Sequence, residues 1–270
     1  MNNKVKKNMV SYIMPDSVPF MGDTITGKSI LNKSKVEYVD VSCNLTLGCK
    51  HSCSYCYARN IALYSGAIKN ADEWKEPKIK SNALELIEKA IPNLAPGTIP
   101  LLSLMSDPFQ YGRSDICNFS LQAIALINSS GHNVSTLTKG LLPVRELAQL
   151  SHYNIHGISL SGVSERIRET FEPGASPYRE RIMALRQLSE LNIPTWVSLE
   201  PIFPPSVVKQ NIYEVLESVS FVKYLVYGKI NNFGAIGSEY RDFYNEEAHK
   251  VIEYCQAHGI VCHIKNGTIT

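Results

Sequence analysis

From residue 36 onward the chain alternates short runs rich in β-branched and aromatic residues with longer segments of helical period. That alternation is the pattern of βα units on a parallel sheet, and six of them can be read. Strands are expected at VEYVDVSC (36–43), TIPLLSLM (98–105), NVSTLTK (133–139), NIHGISLS (154–161), PTWVSLEPI (194–202) and FVKYLVYGKI (221–230), with IVCHIK (260–265) as a seventh short run. Helices are expected near 80–91, 117–130, 143–151, 176–191, 206–218 and 245–258. Pro143 suits a first helical turn, Gly131 follows a helix, and Asn192 and Pro194 separate a helix from a strand. The expected class is α/β, a parallel (β/α)6 arrangement. No repeat or linker marks a second domain, so residues 1–35 read as an N-terminal extension and 36–270 as one domain closed by a short helix and strand.

With 270 residues, 44% of them hydrophobic, the chain can bury a large core without cross-links. Its net charge of +2 is far from the basic balance of a protein devoted to gripping nucleic acid, so a nucleic-acid partner is compatible with the charge but not indicated by it. Pro15, Asp16 and Pro19 interrupt the N-terminal stretch before it could serve as a signal core, and no run of about 18 apolar residues occurs. A cytoplasmic protein with no membrane span is expected. In a reducing compartment, clustered cysteines point to metal binding or catalysis rather than disulfides. Cys49, Cys53 and Cys56 cluster in LGCKHSCSYCY, whereas Cys43, Cys117, Cys255 and Cys262 are scattered. Three thiolates so close in sequence suit zinc or an iron-sulfur cluster. Zinc would want a fourth ligand, for which His51 lies between two of the cysteines but no second ligand pair is present.

In a parallel barrel, functional groups sit at the C-terminal ends of the strands. Here those ends are polar: the cysteine cluster follows the first strand, Ser103, Ser106 and Asp107 close the second, and Thr138 and Lys139 the third. Ser159 and Ser161 end the fourth, Glu200 the fifth, and Lys229, Asn231 and Asn232 the sixth. One site facing the barrel mouth is expected.

CKHSCSYC resembles the Cys-x3-Cys-x-aromatic-Cys motif of the radical S-adenosylmethionine (SAM) superfamily. LGCKHSCSYCYAR, SLMSDPFQ followed by TLTKGLLPVRELAQL, and EPGASPYRERIMALRQLSELNIPTWVSLEPIFP resemble the spore photoproduct lyase-like branch in the same order, over roughly residues 43 to 204. The resemblance implies a partial parallel (β/α)6 barrel and a [4Fe-4S] cluster on Cys49, Cys53 and Cys56. It also implies SAM chelated at the open iron and an electron donor such as flavodoxin or ferredoxin. Such an enzyme cleaves SAM reductively to a 5′-deoxyadenosyl radical, which takes hydrogen from a substrate: a nucleic acid, nucleotide or small metabolite. A non-catalytic iron-sulfur or zinc sensing module is the alternative.

On the same resemblance, Tyr55 lies by the adenine, and Ser106 and Asp107 handle the methionine part of SAM, Asp107 being equally readable as a turn cap before Pro108. Lys139 pairs with the SAM carboxylate and Ser161 offers a hydroxyl to carboxylate or ribose. Ser103, Ser159 and Lys229 join the cofactor set by position. Glu200, which ends its strand before Pro201, is placed for ribose or substrate and counted as catalytic. Tyr57, Arg59, Lys229 and Asn231 are substrate contacts by position, and Glu172 with Arg181 reads as a structural ion pair. The lyase's hydrogen-returning cysteine has no counterpart, since Leu104 stands there and Cys117 begins a helix.

Overall fold

The computed structural model describes residues 12–230 and 240–270. Its main sheet is built from β2 (Leu31–Lys33), β3 (Val41–Cys43), β6 (Leu101–Leu102), β7 (Ser135–Thr138), β8 (Ile155–Leu160), β9 (Thr195–Ile202), β10 (Tyr224–Lys229) and β11 (Val261–Ile264). They lie in the order β11-β10-β9-β8-β7-β6-β3-β2, all parallel except β2, which runs antiparallel on β3. The order from β3 to β11 never reverses. A doubly wound sheet reverses at a switch point, whereas a barrel adds each strand on the same side. The chain thus forms an open barrel, with no pairing among the described residues that joins β11 to the opposite edge.

All six expected strands and the seventh short run are present, several of them shorter than expected. The expected helices appear as α3 (Ala83–Ala90), α4 (Ser114–Ser129), α5 (Val144–Leu147), α7 (Tyr178–Glu190), α8 (Ile212–Ser218) and α9 (Arg241–His258). Helix α8 starts later than its apolar period suggested because the Asn211 side chain accepts from the Tyr213 amide and sets the first turn there. Three short helices were not anticipated: α1 (Tyr57–Tyr64), α2 (Ala71–Lys75) and α6 (Glu165–Phe171). The segment before residue 36 contributes β2 to the main sheet. It also supplies β1 (Thr24–Ile25), which pairs with β5 (Lys78–Lys80) beside β4 (Thr46–Leu47) in a small second sheet. Met21 N donates to Asp115 Oδ2, an oxygen that the buried Arg113 also holds, so this segment is stitched to α4.

Alternation along β9 shows how the sheet divides its residues. Val197 and Leu199 join the core beneath the helices with Ile158, Leu185 and Leu216, while Ser198 and Glu200 face the barrel interior. Toward the N-terminal ends of the strands that interior is filled by Trp196, Leu101 and Val226 with Tyr38, Leu137 and Ile155. Trp196 Nε1 donates to the Thr136 carbonyl at 3.0 Å, and its ring lies flat against Gly157, where an added Cβ would come within 2.3 Å of Nε1. The interior is therefore sealed at one end and open at the other. No helix of the described residues is long and apolar enough to cross a membrane.

Two outcomes are expected. Gly157→Ala forces Trp196 from its seat and lowers unfolding free energy by about 1–3 kcal/mol, measurable by chemical denaturation. His156 is fully buried on β8, its Nδ1 2.9 Å from Thr136 Oγ1, and burial pushes its pKa down to about 3. The unfolded chain therefore binds that proton first, and this part of the stability is full above the ordinary histidine range, falling as pH drops from there toward about 3. Denaturation midpoints followed from neutral to acid pH should fall in that window, and less steeply in His156→Gln.

Candidate functional site

The cysteine loop runs from β4 to α1 and is held by backbone contacts along its length. Gly48 has φ +96°, and a Cβ there would lie 2.8 Å from the Trp74 carbonyl, so only glycine fits. Cys49 N donates to that carbonyl at 2.8 Å, Lys50 N to Gln110 Oε1 at 2.8 Å, and Ser54 N to Phe171 O at 2.9 Å. Gly174, from the EPGASPYRER stretch, lies against the loop and donates to His51 O at 3.0 Å; a Cβ on it would strike Lys50 O at 2.3 Å. Cys56 ends the loop and α1 follows at once.

Cys49, Cys53 and Cys56 line a cavity of about 800 Å3 at the open end of the barrel. Tyr55, Ser103, Ser106, Asp107, Lys139, Ser159 and Glu200 line the same cavity, so most of the residues named from the sequence converge. Burial pushes the Cys53 thiol up to about 12 and raises that of Cys49 well above its ordinary value, with Asp107 and Cys53 adding to the latter. Thiolate is the ligand form, so loading a metal centre here releases protons.

His51 is not available as a ligand. Its ring is buried, Nε2 accepts from the Tyr111 amide at 2.9 Å, and Nδ1 lies 3.4 Å from Asp107 Oδ2. Among the described residues no three His, Cys, Asp or Glu side chains converge on a point that would hold a single ion. Mononuclear zinc draws four ligands to roughly 2.0–2.3 Å, and His51, the fourth ligand considered from the sequence, is engaged elsewhere. Three thiols on one cavity wall fit a cluster, which spreads its ligands over several irons.

Asp107 spends its oxygens within the protein. Oδ1 accepts from Thr138 Oγ1 at 2.6 Å and Phe109 N at 2.9 Å; Oδ2 accepts from Lys139 N at 2.8 Å and faces His51. Burial alone would raise its pKa, but His51, Thr138 and the Lys139 amide outweigh it and hold the carboxyl below the ordinary range. Asp107 is thus a junction that ties the cysteine loop to the end of β7. Lys139 Nζ donates to Ser159 Oγ at 2.8 Å and lies 5.5 Å from the Tyr55 ring centroid.

Beneath Tyr55 lies a fully buried ion pair, Glu172 Oε2 to Arg181 Nη2 at 2.8 Å. Arg181 also donates to the carbonyls of Ser176 and Ser159, each at 2.9 Å, and stacks on Tyr178. Glu172 Oε1 accepts from the Tyr55 hydroxyl and from Ser161 Oγ at 2.9 Å. Burial favours protonation of Glu172, yet Arg181 and Lys139 hold its pKa below the ordinary value. Ser161 is completely buried behind Tyr55 and does not reach the cavity.

Lys229 also lies outside the cavity lining; Gly267 sits close to its Nζ. Asn231 and Asn232 lie outside the described residues. Tyr57 lines the cavity with its hydroxyl on Leu104 O at 2.6 Å, while Arg59 turns back to Ser54 O at 2.9 Å. Sequence reading missed Lys265, which lines the cavity and donates to Glu200. Its signal was present in the polar end of IVCHIK, read only as a short strand. Cys117 is not among the cavity residues.

The model of the radical SAM superfamily matches residues 43–219. The chain belongs to the radical SAM superfamily. It is 26% identical over 184 residues to an uncharacterized protein, ORF301, of Acidianus two-tailed virus, covering 65% of this chain and 60% of that protein. It is equally 26% identical over 184 residues to uncharacterized protein MJ0683 of Methanocaldococcus jannaschii, covering 67% of each. In structure it is similar to spore photoproduct lyase complexed with dinucleoside spore photoproduct, with a TM-score of 0.65 and 16% identity over 88% of this chain and 79% of the lyase. It is also similar to Streptococcus suis SuiB bound to S-adenosylmethionine, with a TM-score of 0.52 and 13% identity over 83% of this chain and 45% of SuiB. The superfamily is one of SAM-dependent radical chemistry, in which SAM and an iron-sulfur cluster work together.

Arg181→Met leaves Glu172 charged and unpaired in the interior, at a cost of about 3–5 kcal/mol of folding free energy. The double variant Glu172→Gln with Arg181→Met should recover much of that loss in the same denaturation measurement.

Proposed function

We propose that Cys49, Cys53 and Cys56 hold a [4Fe-4S] cluster and that the enzyme reductively cleaves SAM to abstract hydrogen from its substrate. The observation that carries this reading is the convergence of three thiols and Lys139 on one cavity. When bound, cluster and SAM supply one-electron cleavage of the sulfonium and a 5′-deoxyadenosyl radical. The chain's own residues hold and orient.

Lys139 has no carboxylate within ion-pair distance among the described residues and suits the SAM carboxylate. Ser159 fixes its ammonium by accepting at 2.8 Å. The Tyr55 ring, clamped through its hydroxyl by Glu172 and Ser161, offers a fixed apolar face for adenine. Ser103 and Ser106 supply polar wall at the end of β6. Ser161 acts through Tyr55 and Asp107 through the loop. A flavodoxin or ferredoxin would supply the electron.

The substrate is a nucleic acid, nucleotide or small metabolite. The dinucleoside photoproduct bound by the lyase is a precedent for the first of these. Leu104 on the cavity wall offers no thiol to return hydrogen, so the lyase's own repair reaction does not carry over.

After anaerobic loading with iron and sulfide, wild type should form 5′-deoxyadenosine from SAM and a strong reductant, while Cys53→Ala with Cys56→Ala should form none. Lys139→Met should raise the apparent Kd for SAM about tenfold or more, the loss of a charge-assisted hydrogen bond. Zinc in place of iron after anaerobic purification, or a loaded wild type that yields no 5′-deoxyadenosine, would overturn the reading.

A further inference from the structure

Among the described residues two lysines, Lys139 and Lys265, reach the cavity, and their surroundings differ. Lys139, at the end of β7, faces Ser159 and Tyr55. Lys265, just beyond β11, meets Glu200 from β9, and the two side chains join across β10 at Gly228. A Cβ on Gly228 would lie 2.9 Å from Lys265 Cδ and 3.1 Å from Glu200 Cδ, so the missing side chain is what lets the pair lie flat. The pair is about one-fifth exposed on each side, 20% and 20%.

The segment 34–40 completes this end of the cavity. Glu37 Oε1 accepts from Asn266 N at 2.8 Å and lies 3.5 Å from His263 Nε2, which fastens the segment to the end of β11. Tyr38 packs edge-on against His263 and Trp196 and lines the cavity together with Glu200 and Lys265. Leu104, Leu137 and Ile230 make the adjoining wall apolar.

Resting on the assignment of the Lys139 end to SAM, we propose that Tyr38, Glu200 and Lys265 form the substrate-recognition end of the cavity. They take a neutral, planar group of carboxamide or lactam type in preference to an anion. Lys265 is already compensated by Glu200, so a carboxylate or phosphate would have to displace that partner and then lie beside a like charge. A carboxamide disturbs neither: its carbonyl accepts from the ammonium while its N–H donates to the carboxylate. Both charges stay paired, and the flat group rests against the Tyr38 ring and the apolar wall. A site built to satisfy both donor and acceptor rejects an analogue that cannot, because its own polar groups are then left unpaired.

Benzamide and benzoate, isosteres that differ in this one respect, serve as probes. Their binding to anaerobically loaded protein in the presence of SAM is measured by calorimetry. Wild type should bind benzamide at least ~10-fold tighter than benzoate. Glu200→Gln should reverse the preference, since Lys265 then loses the carboxylate it donates to and keeps, among the described residues, only the more distant Glu37, and Glu200→Gln with Lys265→Met should abolish the benzoate gain. Circular dichroism checks that the variants are folded, and the wild-type comparison needs no variant. Wild type that binds neither probe, or binds benzoate as well as benzamide, overturns the proposal, as does a folded Glu200→Gln with unchanged preference. SAM retention by wild type is read in the same samples. SAM retained without an amide preference defeats this proposal alone, whereas an amide preference without SAM retention defeats the cofactor assignment and leaves the recognition chemistry standing.

Discussion

The buried Glu172–Arg181 pair is the constraint on which the site depends. Neither side chain reaches solvent, and an ion pair so placed is stable only when its remaining donors and acceptors are satisfied. Glu172 Oε1 and Arg181 Nε and Nη1 find theirs in parts of the site, namely Tyr55 from the cysteine loop, Ser161 and the Ser159 carbonyl from the end of β8, and the Ser176 carbonyl next to the loop clamp, while Oε2 and Nη2 face each other. Gly174 lies between Glu172 and Ser176 and presses on Lys50 and His51. Ordering the pair therefore helps to order the loop that carries the cysteines.

A second junction, Asp107, works from the other side. Its four neighbours come from the cysteine loop, the turn after β6 and the end of β7. His51 belongs to this junction rather than to a metal, with one nitrogen accepting from Tyr111 and the other facing Asp107. The two carboxylates thus grip the cysteine loop from opposite flanks and leave its thiols turned to the cavity.

The strands were legible because a parallel sheet buried on both faces leaves near-continuous apolar runs, as in PTWVSLEPI. The three cysteines were legible as one group because they fall within eight residues, and they do line one cavity. Lys139 was legible as a cation at a strand end, and the Glu172–Arg181 pair as two opposite charges flanking a Pro-Gly turn. Spacing could not show that Ser161 turns behind Tyr55 while Ser159, two residues earlier, faces the cavity: that choice is made by Glu172, which lies on a later element. Nor could it show that Lys229 points toward Gly267 and that Lys265 takes the place at Glu200, because β11 joins the sheet only through tertiary pairing with β10. Helix α2 carried a local signal of its own, since Asn70 caps it through the amides of Asp72 and Glu73.

In the proposed function three thiols hold a cluster with one iron left for SAM. That arrangement is tested most directly by electron–nuclear double resonance on the reduced, loaded protein with SAM isotopically labelled at its amino nitrogen. A hyperfine coupling from nitrogen bound directly to iron is expected, absent without SAM and absent in Cys49→Ala. A reduced four-iron signal that is unchanged by SAM, with no nitrogen coupling, would contradict it.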